Sequence, residues 1–205
     1  SLDIEEIKLK SRKKINFNFF KNYRDLKIIN VGRLTYQKDI ITLLKSFSKL
    51  IKIRKARLLL IGNGSEENKI KMFVKKNKIS PYVKIIDFQH NPYNYIALAD
   101  VKVLSSRFEG NPNILLEIAC LKKLIISTDC KVGPSEILQR GKGGILYNVG
   151  DFNSLYKILK NLNLGDKVLK KKIDITYKYV KSNFRKDISK KFIKIIRNIK
   201  WKLLL

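Results

Sequence analysis

Histidine, cysteine and acidic residues are all scarce in this chain. One histidine, His90, in 205 residues excludes a metal cluster built from imidazoles. Two cysteines, Cys120 and Cys130, make neither a metal-binding nor a redox spacing, and are expected as buried thiols of a reducing compartment. No apolar run reaches the roughly 18 residues that span a bilayer, and no charged segment followed by an apolar stretch opens the chain, so neither a span nor a secretory signal is visible. The expected location is cytoplasmic. The chain starts on Ser rather than Met and is expected to be part of a longer protein.

The shortage of acid sets the charge: 17 Asp and Glu against 45 Lys and Arg leave a formal +28. Three polyanionic partners fit such a balance: nucleic acid, an anionic membrane surface, or a phosphorylated ligand. The basic residues form no compact arm and run through nearly every helical segment, which equally fits lysines spread over solvated faces. No nucleic-acid motif is present, and no nucleic-acid partner is expected. Basic stretches such as "KKKIDITYKYVKS" are the segments that would rest on the inner face of an anionic membrane.

What the chain does have is rhythm. From residue 26, short apolar stretches alternate with amphipathic ones: "LKIINVG", "DIITLLKSFSKLI", "ARLLLIGNG", "EENKIKMFVKK", "YVKIIDF", "NPYNYIALA", "DVKVLSS", the helix after Pro112, "KLIISTD", "PSEILQR" and "GGILYN". Strands alternating with helices of about 10 to 15 residues predict an α/β, Rossmann-like, doubly wound parallel sheet. Three regions follow: 1–25 as a connecting segment, 26–160 as the ligand-binding domain, and 161–205 as helices packing on it or crossing away. The last helical segment carries Ile188, Phe192, Ile195, Ile196 and Ile199 at the spacing of one face.

In such a sheet ligands bind beyond the carboxyl ends of the strands, so the loops there carry the candidates. After the first strand, "VGRLTYQKD" offers Gly32 for a tight exit and the cations Arg33 and Lys38 near a helix start, a place to hold a diphosphate or merely two solvated charges. "IGNGSEEN" lacks the third glycine of a dinucleotide fingerprint and is read as a turn with Ser65 capping the next helix. "FEGNPNILLE" puts Pro112 at a helix entrance and the amides of Gly110, Asn111, Asn113 and Ile114 at its positive end, an anion site. Glu109 before that helix and Glu117 inside it are placed to flank a ligand and accept hydrogen bonds from its hydroxyls.

"VGRLTYQKD", "IGNG", "NPYNYIALADVKVLSSRFEGNPNILLE", "ISTDCKVGPSEIL" and "GGILYNVGD", in that order, resemble the C-terminal domain of family 4 glycosyltransferases of the GT-B fold. The resemblance runs from about residue 26 to residue 160, and its most specific part is the Glu-x7-Glu motif. It implies that Arg33 and Lys38 hold the diphosphate of a nucleotide sugar, UDP-hexose or UDP-N-acetylhexosamine. Glu109 then contacts the transferred sugar, Glu117 the ribose, and the turn Gly110 to Asn113 approaches sugar and phosphates. It also implies transfer with retention and no metal or other cofactor, and no Asp-x-Asp triplet is present. The acceptor, a glycan or lipid-linked sugar of polysaccharide, lipopolysaccharide or glycolipid biosynthesis, would be bound by an N-terminal domain outside this chain.

Four positions depart from the family's pattern: Asp39 and Asp87 where glycine is usual, Lys122 for a glycine, and Leu124 for a proline. Asp39 either weakens the neighbouring phosphate site or caps the helix, and Asp87 and Lys122 are strained if their positions need positive φ. A chain that binds a donor without transferring it, or a degenerate fragment, is the alternative these departures raise. A basic nucleic-acid-binding domain is the remaining one.

Overall fold

The computed structural model describes residues 2–21, 24–130 and 132–184. The runs Leu26–Val31 (β1) and Ala56–Ile61 (β2) are apolar on both faces, which suits strands covered by helices on both sides. The intervening Ile40–Leu50 (α2) is amphipathic, and turns Ile40, Leu43, Leu44, Phe47 and Leu50 inward. This alternation continues through α3 (Glu67–Lys76), β3 (Val83–Ile86), α4 (Tyr93–Leu98), β4 (Val101–Leu104), α5 (Asn113–Cys120), β5 (Leu124–Thr128), α6 (Pro134–Ile137) and β6 (Ile145–Tyr147). Two further helices, α7 (Phe152–Lys160) and α8 (Lys167–Asn183), follow, and α1 (Ile4–Ser11) precedes β1.

All six strands are parallel, in the order β3-β2-β1-β4-β5-β6. The sheet is the doubly wound α/β arrangement that the sequence rhythm implies. One face carries α2, α3 and α7 over Ile28, Leu58, Leu60, Val101 and Val103; the other carries α1, α4, α5 and α8 over Ile29, Leu59, Leu104 and Ile125. Phe47 is fully buried in the first core, and truncating it to Ala should cost about 3–5 kcal/mol.

Three of the helices that connect strands are shorter than the expected 10 to 15 residues: α4 has 6, α5 has 8 and α6 has 4. Each is stopped by a specific backbone event. Asp100 bonds the Lys27 backbone through both its amide and its carboxylate, which pulls the chain off α4 into β4. Lys122 beyond α5, and Gln139 and Arg140 beyond α6, adopt positive φ of 51°, 49° and 53°. The segment before β1 lies on the sheet: Ile4 and Ile7 of α1 are buried in the second core, and the Leu2 amide donates to the Phe184 carbonyl. The amphipathic segment with Ile188, Phe192, Ile195, Ile196 and Ile199 lies outside the described residues.

Candidate functional site

β1 and β4 are sequence-distant neighbours, and the direction of winding reverses between them. Their ladder holds only at Ile28 with Val101 and Ile29 with Lys102. Beyond that, side chains reach across instead: Asn30 Nδ2 donates to the Val103 carbonyl at 2.9 Å, and Lys102 Nζ to the Val31 carbonyl at 3.2 Å. The strands therefore part at their carboxyl ends, where the crevice of a doubly wound sheet forms.

The loop after β1 is locked to the loop after β4. Ser105 Oγ donates to the Lys38 carbonyl, the Arg107 amide to the Gln37 carbonyl, and Gln37 Nε2 to the Phe108 carbonyl. Arg107 pairs with Asp39 at 3.1 Å and stacks on Tyr36, its guanidinium 4.4 Å from the ring centre. At the centre, Lys38 Nζ lies 2.6 Å from Glu109 Oε1, which also accepts from Ser106 Oγ at 2.5 Å. The exposures of these two side chains, 14% and 5%, make this an almost buried ion pair. Glu109 and Lys38 are thus brought together and answer each other's charge.

Gly32 sits at φ 155°, and a Cβ there would lie 3.7 Å from the Lys38 stem. Gly62, at φ 139°, is more demanding: a Cβ would fall 2.1 Å from the Gly32 carbonyl oxygen. One at Gly64 would fall 2.3 Å from the Leu34 carbonyl oxygen. The "IGNG" stretch is therefore a seat that lets the β1 and β2 loops touch. Ser65 does not cap α3, because the cap position is Glu66 and no side chain bonds there; the Leu34 carbonyl accepts the Glu66 amide instead.

Beside Gly32 opens a cavity of about 500 Å³. Gly32, Arg33, Ile114 and Glu117 line it, together with Asn63, Phe88, Gln89, His90 and Tyr93. Glu117 on α5 is half-buried and lines the cavity beside the Tyr93 side chain. Burial pushes its carboxyl above the ordinary carboxylate value, opposed by the Tyr93 hydroxyl. The Tyr93 hydroxyl is pushed up to about 12, by burial first and the Glu117 charge second. The structure thus brings Glu117, Arg33, Gly32 and Ile114 to one cavity and leaves Glu109 and Lys38 paired outside its lining.

Pro112 precedes α5 as expected. Of the amides in the turn, Asn113 is already used, donating to the Asn111 carbonyl, and Pro112 has none. Those of Gly110, Asn111 and Ile114 have no protein acceptor among the described residues. Gly110 is exposed, and a Cβ there would meet nothing within 4 Å. The turn is backed by Gly133 (φ 90°), where a Cβ would strike Pro112 and the Gly110 carbonyl at 2.5 and 2.6 Å.

Asp39 caps α2, accepting from the Thr42 amide, at φ 42°. Lys122 is also at positive φ, whereas Asp87 is not, and Asp87 accepts from Asn63 Nδ2 at 3.0 Å. Cys120 and Cys130 are free and buried. Among the described residues, no helix is long and apolar enough to cross a membrane, and no cluster of His, Cys, Asp or Glu has a metal-binding arrangement. Sequence reasoning placed Gly62 in a turn without the close approach to the Gly32 carbonyl, and missed Gly133 and Lys102. Gly62 and Gly133 show only as glycines in loops, and Lys102 is masked by the abundance of lysine.

Residues 11–179 match the family described as Glycosyl transferases group 1, and the chain belongs to that family. The six-stranded sheet with its flanking helices is the Rossmann-like domain of GT-B glycosyltransferases. A Campylobacter jejuni N-acetylgalactosaminyltransferase acting on a diphospho-undecaprenol-linked acceptor is 28% identical over 83% of this chain and 44% of its own length. The Escherichia coli lipopolysaccharide 1,6-galactosyltransferase is 31% identical over 67% of this chain and 40% of its own. Among solved structures, Anabaena HepE in complex with UDP and glucose superposes with a TM-score of 0.76 at 15% identity, covering 99% of this chain and 55% of that one. The chain spans under half the length of these curated relatives.

Proposed function

We propose that the chain is the donor-binding half of a retaining glycosyltransferase, and that its donor is a UDP-hexose or UDP-N-acetylhexosamine. The observation that carries this is the cavity at the carboxyl end of β1, which a half-buried carboxylate, Glu117, an exposed guanidinium, Arg33, and Gly32 line together. The named activities of the curated relatives and the UDP seen in the Anabaena protein support the same donor class.

Glu117 accepts hydrogen bonds from the ribose hydroxyls, and its burial makes them stronger than in water. Arg33 takes the diphosphate, and the free amides of Gly110, Asn111 and Ile114 at the start of α5 add fixed positive ends. Lys38 leaves Glu109 to join the diphosphate, and Glu109 turns to the sugar. Negative charge that develops on the leaving diphosphate then meets cations already in place, without a metal. The acceptor, a glycan or lipid-linked sugar, is assigned to a second half beyond residues 1–205. Titration calorimetry of the chain with UDP, GDP and ADP tests the reading: UDP binding selectively supports it, and binding of none overturns it.

A further inference from the structure

Lys102 is fully buried in the central strand β4. Its neighbours Val101 and Val103 face the first core, so the Lys102 side chain rises on the opposite face and runs to the carboxyl end of β1. There Nζ donates to the Val31 carbonyl, one residue before Gly32, its only hydrogen-bond acceptor among the described residues. An ammonium has three protons to place, and a buried one with a single carbonyl partner is poorly served.

The charges that face Lys102 are Lys38 from the connection after β1, which opposes its protonation, and Glu109 from the loop after β4, which favours it. On the helices covering that face, the titratable groups include Tyr93 of α4, Glu117 and Cys120 of α5, Glu6 and Lys8 of α1, and Tyr177 and Tyr179 of α8. Cys130, beyond β5, bonds to the Ser106 carbonyl. Burial, and after it Lys38, holds the Lys102 amine far below the usual lysine value.

The arrangement has a consequence for donor binding, and it rests on the reading that a diphosphate draws Lys38 from Glu109. Once Lys38 leaves, the neighbouring charge that opposes protonation moves away and burial alone still opposes it, while Glu109, 5% exposed, is left without its counter-ion. We propose that Lys102 is a positioning residue that takes a proton from solvent as the donor binds, becoming the counter-ion that holds Glu109 in place for the sugar. One proton is taken up per donor bound, and no bond other than N–H is made.

The test is calorimetric titration of the chain with UDP, in buffers of different ionisation enthalpy. It is run above about pH 8, where the terminal phosphate of UDP, with a pKa of about 6, is already ionised. Wild type should take up as much as about one proton per UDP, and its affinity should fall as pH rises. Lys102→Met removes both the proton and the Val31 bond, while Lys102→Gln keeps a donor for Val31 and cannot titrate. Both variants should bind UDP with no uptake and a flattened pH profile. Wild type binding UDP without uptake, or Lys102→Gln matching wild-type uptake, overturns the inference and leaves the proposed function standing. Failure of wild type to bind UDP at all removes both.

Discussion

The Lys38–Glu109 pair is tight enough to be measured as a coupling. At an effective dielectric near 20, charges at this separation attract by at least about 4 kcal/mol, offset by the cost of desolvating both. Removing one partner exposes that offset, and the two removals should differ. Lys38→Met leaves Glu109 nearly buried with Ser106 as its hydrogen-bond partner and only Lys102, an amine that must be charged in a buried place, to answer it, and should cost about 3–4 kcal/mol. Glu109→Gln leaves an ammonium on a flexible stem beside Gly32 that can turn outward, so about 1–2 kcal/mol is expected. The double variant has no uncompensated charge and should lose only about 1–2 kcal/mol, a coupling of about 3 kcal/mol. Urea unfolding of the four proteins, with the slope unchanged between them, provides the cycle. Additivity within about 0.5 kcal/mol would mean that the pair is not energetically joined and would refute the reasoning.

Gly62→Ala places a methyl 2.1 Å from the Gly32 carbonyl at φ 139°, so the β1 and β2 loops must part. A loss of about 2–4 kcal/mol, read as a drop of roughly 4–16 °C in Tm, is expected in thermal unfolding. Lys122→Gly should be neutral to stabilising by about 1 kcal/mol, because it relieves φ 51° and gives up an exposed pair with Asp174 and a cation–π contact with the Tyr177 ring. For Glu117 the folded pKa is raised, so its contribution to stability is full below the unfolded value and lost as pH rises through the folded one. Donor affinity runs the other way: UDP-glucose, whose diphosphate has no pKa in range, should bind up to about tenfold more weakly per unit as pH falls below the Glu117 pKa. In Glu117→Gln that dependence should vanish.

Much of the fold is legible in the chain because its signal is local and repeated. Each strand is a short apolar run and each early helix an amphipathic one, and a parallel sheet leaves few other ways to bury them. Helix ends were less legible: α4 and α6 stop where tertiary bonds or left-handed residues intervene, as at Asp100 and Gln139. At the site, Pro112 and Glu117 follow from position along α5, and Arg33 and Gly32 from the strand exit. What the sequence hides is pairing between distant segments. Glu109 and Lys38 are 71 residues apart, and their 2.6 Å contact depends on the winding reversal between β1 and β4. The "IGNG" glycines show the same limit, since their role is set by the carbonyls of Gly32 and Leu34 lying against them.

The most direct measurement is calorimetric titration of the chain with UDP, with GDP and ADP as controls, repeated for Glu117→Ala. Two hydrogen bonds from ribose hydroxyls to a carboxylate, about 1.5–3 kcal/mol each, imply that the variant loses UDP affinity by at least about tenfold. The account expects UDP to bind in preference to GDP and ADP, and the variant to lose that binding. UDP binding unaffected by the loss of Glu117 would contradict it.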